Sequence, residues 1–168
     1  ELKKELGVEN FNQITNISEP VAAASIAQVH FANINVSGQN KDVAIKILRP
    51  DIDKLFNEEL DALMLLAYII QSLISKTKRL KLVEIVQLLR EVTNVEMDLR
   101  FEAAAANELY ENTKNDFGFK VPKIYWNQTS KSILCLDRIN GVSIREVENL
   151  KALNINIKKI AKDIIQHF

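Results

Sequence analysis

The first strong pattern along the chain is an alternation of apolar and polar side chains. It runs over residues 26–36, and the β-branched segment 43–48 follows after a cluster of turn-forming residues at 37–40. Alternation over short segments is typical of strands, and the turn cluster favours a tight connection. Pro50 ends the second segment, because proline cannot continue a hydrogen-bonded ladder. We therefore expect two antiparallel strands joined by a short loop.

Two stretches with helical spacing come next. Apolar residues recur every three or four positions from residue 52 to about residue 75, and again from Leu82 to Val92. This spacing predicts two helices, separated by the basic segment 76–81. We interpret the basic segment as a solvated turn, and a contact with a phosphate or a lipid headgroup is the alternative that the sequence leaves open.

A third helix and a second pair of strands are predicted further along. Residues 96–115 have a helix-forming composition centred on the four alanines 103–106. The alanines either let another backbone approach closely or merely reflect high helix propensity, and composition favours neither. Residues 121–126 and 132–139 predict strands on either side of a turn at 127–130.

Helical sequence is also found at both ends of the chain. Segment 1–7 has the composition of a helix that ends at its glycine, and residues 155–168 predict a helix without a stop signal. Ser143 and Glu146 are in capping-box register for a short helix through Leu150. We expect a chain cut from a longer one, with an α+β fold built on a small antiparallel sheet.

Composition and charge exclude several classes of function. The 168 residues are 47% hydrophobic, enough for one core, and 22 basic residues balance 22 acidic ones. A net charge of zero lacks the electrostatic footprint of a general nucleic-acid binder. Cys135, His30 and His167 are too few for a zinc cluster, and one cysteine forms no internal disulfide. Segment 1–10 is too polar for a signal peptide, and the uncharged run 62–75 is too short to span a bilayer.

The four glycines lie too far apart for either common phosphate-binding motif. They are Gly7, Gly38, Gly118 and Gly141. The chain therefore contains neither G-x-G-x-x-G nor G-x-x-x-x-G-K-[ST].

A candidate nucleotide site nevertheless comes from the sequence Val-Ala-Ile-Lys at 43–46. Side chains alternate along a strand, so Ala44 and Lys46 face the same side. In kinases, such an alanine packs against the flat face of the adenine ring, and the lysine reaches the α and β phosphates. The motif alone is weak, because buried strands often contain it by chance.

The upstream run at 22–29 strengthens this interpretation. It follows the frame G-x-G-x-x-G-x-V of a kinase phosphate loop, with Ala22, Ala24 and Ala27 at the glycine positions and Val29 at the last. An alanine in a left-handed conformation costs about 1–2 kcal/mol, which predicts a stiffer loop than glycine would give. The alternative is a turn of small residues packed against the core.

Acidic residues near the alanine run supply a partner for the lysine. Glu102 is the candidate carboxylate that would hold Lys46 in position. Glu96 and Asp98 precede it closely, so one helix could bring these acidic groups to a phosphate pocket, or leave Glu96 in solvent.

Together these stretches resemble the UbiB family of atypical, protein-kinase-like proteins, a family associated with ubiquinone biosynthesis. Residues 19–30 look like its alanine-rich loop, and residues 43–50 are similar to its lysine-bearing strand. Residues 96–107 resemble its E-x-D element running into E-A-A, and residues 134–141 resemble its hinge strand. The resemblance covers nearly the whole chain.

The resemblance implies a role for each matching position. Lys46 and Glu102 would form the catalytic ion pair, and the backbone of residues 136–139 would be the adenine hinge. Glu96 and Asp98 would form the acidic element that meets the lysine of an upstream K-x-G-Q motif, which this chain does not contain. The implied nucleotide contacts are Ala22, Ala23, Ala24, Ser25, Ile26, Ala27, Val29, Ala44, Lys46, Leu136, Asp137, Arg138 and Ile139.

The resemblance also implies a fold and a cofactor. The fold would be a kinase-like N-terminal lobe, and the ligand would be ATP or ADP with Mg²⁺. The metal ligands and the catalytic loop would follow residue 168, so we expect the isolated chain to be inactive. The implied segments are the alanine loop and strand pair (19–50), a helical insert (51–95), the C-helix region (96–115), a strand pair and hinge (121–141), and the start of the second lobe (142–168).

For the parent protein, the resemblance implies a kinase or ATPase at the cytoplasmic face of the bacterial inner membrane. Its partners would include ubiquinone-pathway enzymes or lipids and no nucleic acid. The alternative, based on the two apolar helices and the basic segment 76–81, is a helical membrane-surface or protein-interaction module without nucleotide chemistry.

Overall fold

The computed structural model describes residues 2–167 and shows a mixed helical and antiparallel fold. The elements are, in chain order, α1 (Leu2–Asn12), β1 (Ile14–Thr15), β2 (Pro20–Ala23), β3 (Ala27–Val36), β4 (Gln39–Leu48), α2 (Ile52–Leu73), a 3-10 helix (Ser75–Leu80), α3 (Leu82–Glu96), α4 (Leu99–Thr113), a 3-10 turn (Trp126–Gln128), β5 (Ile133–Asp137), α5 (Val147–Ala152) and α6 (Ile157–His167). The predicted α+β class, with a small sheet like that of a kinase N-terminal lobe, is confirmed.

The five strands form one antiparallel sheet in the order β1-β3-β4-β5, and β2 also pairs with β3. The long central strands β3 and β4 pair from Ala27↔Leu48 to Val36↔Gln39. Ser37 and Gly38 join them with φ values of 51° and 81°. Two positive φ values are typical of the tight turn whose twist matches that of the flanking strands. The predicted first strand pair is therefore present.

One face of the sheet packs beneath the N-terminal helix. Leu6 of α1 and Ile14 of β1 cover buried residues of the three strands β3, β4 and β5. Those strand residues are Ala32, Ile34, Val43, Ile45, Ile133 and Cys135. The sequence predicted that the first helix ends at Gly7, and this prediction is wrong. Gly7, with φ 75° and ψ 168°, only kinks α1, because the chain resumes helical geometry after the glycine.

The opposite face packs against α4. Ala103 is completely buried, and Ala106 lies against the same cluster, while Ala104 and Ala105 are exposed. The small side chains at two positions of the alanine run therefore allow α4 to approach the strands closely. Leu99 joins Ala103 in this cluster, together with Ile52 at the start of α2 and Leu134 of β5.

The helices α2 and α3 form a hairpin with its own small core. Leu60 and Ala67 of α2 pack on Val86 of α3, and Arg90 Nη2 lies 2.6 Å from Asp61 Oδ1. The two predicted helices are thus present, and the basic segment between them forms the 3-10 helix. Within the described residues, no helix combines the length and the apolar character needed to cross a bilayer.

Several predicted elements differ from those in the structure. The helix predicted over 96–115 is broken, because Asp98 adopts an extended conformation and caps α4 by accepting the N–H of Arg100. The strand predicted over 121–126 is only a single bridge, Ile124↔Leu136. The helix predicted from Ser143 begins at Val147, because Ser143 and Glu146 form a turn in which the N–H of Glu146 donates to the Ser143 carbonyl. Farther along, α6 begins two residues after the predicted start, and Phe168 lies outside the described residues.

Candidate functional site

Lys46 and Glu102 meet above the face of the sheet that α4 covers. Lys46 Nζ donates to Glu102 Oε2 at 2.7 Å, and the two side chains are 30% and 50% exposed. Lys46 comes from β4 and Glu102 from the first turn of α4. The ion pair therefore forms between elements 56 residues apart in sequence, and it remains accessible to a ligand.

The strand register places a set of small and apolar side chains beside this ion pair. Directly opposite residues on neighbouring antiparallel strands share a face. Val29 lies opposite Lys46, and Ala44 lies between Phe31 and Leu136. These side chains are half-buried rather than closed into the core. Together they form a partly open apolar platform that ends at a cation.

The alanine-rich segment 22–27 forms a tight turn between β2 and β3. The N–H of Ala24 donates to the carbonyl of Ala27 at 2.8 Å, and Ala22 pairs with Val29. No residue from 22 to 27 has a positive φ. The predicted cost of left-handed alanines is therefore wrong, because this turn is made entirely with negative φ and a Cβ is no obstacle to it.

The predicted loop residues do not all face the same environment. Residues 22–25 are exposed, while Ile26 is half-buried and packs against the cluster beneath α4. Ala27 is buried within that cluster. Its side chain is part of the core, so the structure removes Ala27 from the side chains available to a ligand and leaves the exposed tip at 22–25.

Arg49 holds this turn from below, which the sequence analysis missed. Its backbone N–H donates to the carbonyl of Ile26 at 2.8 Å, and its Nη2 donates to the carbonyl of Ala24 at 3.2 Å. A second cation therefore lies beside the alanine turn. The only sequence signal is a basic residue at the end of the lysine-bearing strand, which is too common to identify a contact 25 residues away.

The predicted hinge is partly occupied by the protein's own hydrogen bonds. The N–H of Asp137 donates to Lys123 O at 2.9 Å, and that of Arg138 donates to Asp42 O at 3.0 Å. Ile139 is exposed and follows these two bonded residues. In the described part of the chain, the first hinge residue whose backbone N–H has no protein partner is therefore Ile139.

Side chains of the hinge face in opposite directions. Arg138 stacks on the ring of Phe31, with Cζ 3.8 Å from the ring centroid, at the outer end of the platform. The carboxylate of Asp137 instead accepts the hydroxyl of Tyr125 at 2.6 Å on the far side of the strand. Burial raises the pKa of Tyr125, and the bond to Asp137 raises it further. Since the N–H of Asp137 is also bonded, to Lys123 O, only its backbone carbonyl is left for a nucleotide.

The acidic element lies across the junction of two helices. Glu96 is the last residue of α3 and is exposed, whereas the Asp98 side chain is 12% exposed at the start of α4. The arrangement predicted on a single helix is therefore wrong. Glu96, Asp98 and Glu102 nevertheless line one cavity of about 340 Å³.

Asp98 is held by an arginine that the sequence analysis did not single out. Arg100 donates from Nε and Nη2 to the two carboxylate oxygens at 2.8 and 2.6 Å. These side-chain hydrogen bonds lower the pKa of Asp98, although burial opposes the shift. Asp98 is therefore a charged helix cap whose oxygens are already engaged, while Glu96 and Glu102 keep oxygens open to the cavity.

Comparison with known proteins shows that the sequence of this chain is similar to kinase-like domains. A family model described as the ABC1 atypical kinase-like domain matches residues 2–168. The chain is 34% identical over 168 residues to the "Probable protein kinase UbiB" of Marinobacter nauticus, covering 99% of this chain and 30% of that protein. It is 33% identical over 163 residues to the protein of the same name from Vibrio atlanticus, covering 96% and 30%, and 35% identical over 150 residues to that from Cellvibrio japonicus, covering 89% and 27%. The chain thus spans about 30% of the length of these curated relatives.

Proposed function

Because the chain belongs to the ABC1 atypical kinase-like domain family, we propose that it is the nucleotide-binding lobe of a UbiB-like kinase or ATPase. The observation that carries the proposal is the ion pair between Lys46 and Glu102 beside the platform around Ala44. A lysine so held presents its charge at a fixed point, where the α and β phosphates of a bound nucleotide would lie.

The platform suits an adenine ring in size and chemistry. Val29, Ala44 and Leu136 offer half-buried apolar surface on one face of the sheet. Ala44 has the small side chain that a flat ring needs for close contact. The backbone of residues 137–139, where the Ile139 N–H is free, would supply hydrogen bonds to the edge of the base.

The phosphates would lie between the exposed turn at 22–25 and Lys46. Charged side chains close to a polyanion act by position and electrostatics, which is the main requirement in phosphoryl transfer. Glu102 orients Lys46, and Arg49 fixes the carbonyls of the turn. Glu96 and Asp98 form the acidic element of the proposed site.

Phosphoryl transfer also needs a group that positions the nucleophile and a metal that bridges the phosphates. Among the side chains that the structure describes, residues 2–165, no three His, Cys, Asp or Glu side chains are grouped so as to hold a metal ion. The family resemblance implies that the ligands of the nucleotide's Mg²⁺ lie outside this chain, and we include this in the proposal. The chain alone would bind ATP or ADP without turning it over, and the division into loop, insert, C-helix, hinge and second-lobe segments is part of this proposal.

The role of the parent protein follows from the family resemblance. We propose that it supports ubiquinone biosynthesis at the cytoplasmic face of the bacterial inner membrane, with ubiquinone-pathway enzymes or lipids as partners. The balanced charge of the chain supports the absence of nucleic acid from this set.

The proposal is tested by titrating the chain with a fluorescent ADP analogue and Mg²⁺. We expect saturable binding that ATP displaces, and a loss of at least about tenfold in affinity for Lys46→Ala, because a charge-assisted contact to phosphate is removed. Lys41→Ala is the matched control, since Lys41 is exposed on the same strand but lies away from Glu102.

Two results would contradict the proposal. Equal affinities for the Lys46→Ala and Lys41→Ala variants, or no binding at all, would remove the nucleotide function and favour the alternative of an interaction module. Robust Mg²⁺-dependent ATP hydrolysis that Lys46→Ala abolishes would instead show that the isolated chain is active.

A further inference from the structure

The end of the α2–α3 hairpin combines exposed apolar side chains with a cluster of cations. We define the hairpin tip as residues 73–81, which include the end of α2 and the 3-10 helix. Leu73 is 79% exposed, and Ile74 and Leu80 are about half exposed. The cations interleaved with them are Lys76, Lys78, Arg79 and Lys81.

The tip lies far from the sheet and from the candidate nucleotide site. The helix α2 has 22 residues, which at 1.5 Å each gives a length of about 33 Å. Its first residue, Ile52, packs in the cluster beneath α4, whereas Leu60 and Ala67 pack on α3. The hairpin therefore projects the tip away from the sheet, and nothing at the tip is needed for the ion pair of Lys46.

The charge of the tip is only slightly neutralised within the described residues. Lys81 Nζ lies 2.7 Å from Glu84 Oε2. Over residues 2–167, Lys76, Lys78 and Arg79 have no carboxylate within ion-pair distance, and all three are exposed. In a chain of zero net charge, this is a local concentration of positive charge beside apolar surface.

The backbone of the tip is hydrogen-bonded to itself. The N–H of Ile74 donates to Ile70 O at 2.9 Å, and that of Thr77 donates to Ile74 O at 2.9 Å. The Thr77 hydroxyl also donates to Ile74 O, at 2.7 Å. A segment whose backbone groups are already paired enters a poorly hydrated environment at lower cost than an open loop.

We propose that the hairpin tip docks into the interface of an anionic lipid bilayer. Leu73, Ile74 and Leu80 would enter the boundary between headgroups and acyl chains, and the lysine and arginine side chains would extend to the lipid phosphates. A nucleic acid or a soluble phosphate would form ion pairs with the cations but would leave these apolar residues exposed to water. The proposal rests on the membrane association proposed for the parent protein and identifies the hairpin tip as the surface that contacts the membrane. It does not depend on nucleotide binding.

The test is cosedimentation of the chain with vesicles of phosphatidylcholine alone or mixed with phosphatidylglycerol. We expect binding to the mixed vesicles that weakens with added salt and persists in millimolar inorganic phosphate. Each cation at an anionic surface contributes about fivefold to association. Reversal of two charges, Lys76→Glu with Lys78→Glu, should therefore weaken binding at least about tenfold.

Matched variants separate the tip from general charge and hydrophobicity. Lys3→Glu with Lys4→Glu reverses two exposed charges on α1, and Phe117→Ser removes an exposed aromatic side chain outside the tip. We expect both to bind mixed vesicles like the unaltered chain, whereas Leu73→Ser should weaken binding severalfold. Circular dichroism checks that each variant is folded.

Several results would overturn the docking. These are no binding to mixed vesicles, loss of binding in inorganic phosphate, or equal losses in the tip and control variants. A change in oligomeric state caused by the tip variants, without any vesicle binding, would make the tip a protein interface instead. Titration with the fluorescent nucleotide is a separate measurement, so failure of either proposal is distinguishable from failure of the other.

Discussion

The guanidinium of Arg49 lies 3.2 Å from the carbonyl oxygen of Ala24 and fastens the alanine turn to the end of the lysine-bearing strand. With the backbone bond from Arg49 to Ile26, the turn is held at two carbonyls, those of Ala24 and Ile26. In a kinase-type loop rich in glycine, the backbone can approach a ligand closely, but the loop is also more flexible. Here alanines form the turn and an arginine is hydrogen-bonded to it, so we expect a turn that is less mobile than a glycine loop.

Replacement of that arginine should loosen the turn. For Arg49→Ala we expect faster amide hydrogen exchange at residues 24–27 and a several-fold loss of nucleotide affinity. The free energy of unfolding should fall by no more than about 1.5 kcal/mol, because a single hydrogen bond is lost. Arg49→Lys keeps the charge without the planar guanidinium, and unchanged exchange in both variants would show that the tether does not hold the turn.

The ion pair of Lys46 should affect binding far more than stability. Both side chains are partly exposed, and exposed ion pairs contribute about 0–1 kcal/mol to folding. We expect Glu102→Gln to leave chemical denaturation nearly unchanged and to weaken nucleotide binding, because Lys46 loses its fixed position. Glu108→Gln, on the same helix, is the control for a lost charge. A large loss of stability in Glu102→Gln with normal binding would make the pair structural.

The alanine run offers a direct test of how closely α4 packs on the sheet. Ala103 is fully buried, so Ala103→Leu should destabilise the fold by about 1–3 kcal/mol through overpacking. Ala104→Leu places the same side chain on the exposed side of the same helix and should change the unfolding free energy by less than about 0.5 kcal/mol. Similar values for the two variants would contradict the packing described for α4.

The cap at Asp98 should make stability depend on pH. Hydrogen bonds from Arg100 lower the folded-state pKa of Asp98. Its contribution is therefore complete above the unfolded-state pKa of about 3.9 and is lost as the pH falls through the lower, folded-state value. Thermal melts of the unaltered chain and of Asp98→Asn between pH 6 and pH 2 would show this dependence.

Two variants separate the charge of Asp98 from its cap. Asparagine still caps a helix, so Asp98→Asn should lose the acid dependence that belongs to this residue while keeping much of the cap. Asp98→Ala should cost about 1 kcal/mol at neutral pH. Identical acid dependence in the unaltered chain and in Asp98→Asn would show that the ionised carboxylate contributes nothing to folding.

Much of the candidate site could be predicted from sequence because its parts are locally encoded. Alternation predicts the strands around Lys46, and helix-forming composition predicts a helix that bears Glu102. The match of residues 22–29 to a kinase loop frame then suggested which elements meet. The predicted partner of Lys46 is the one that the structure shows.

Other features could not be predicted, because they depend on contacts between distant segments. The break before α4 lies in a stretch of helix-forming composition, and it forms where Met97 and Leu99 are buried beside the sheet. Arg49 could not be linked to the alanine turn until both strands were placed. The core position of Ala27 could not be told from an exposed loop position either, since the loop frame gives no information on burial.

The sequence by itself determined the strand pair, the helical hairpin, the alanine frame and the family. These features depend on the spacing of apolar residues within single elements and on the order of residue types in short motifs. The tertiary structure decided which loop side chains face solvent, how Asp98 and Glu102 reach one cavity, and where the basic tip projects. Those properties follow from burial and hydrogen bonding between elements far apart in the chain, which residue patterns within one element do not specify.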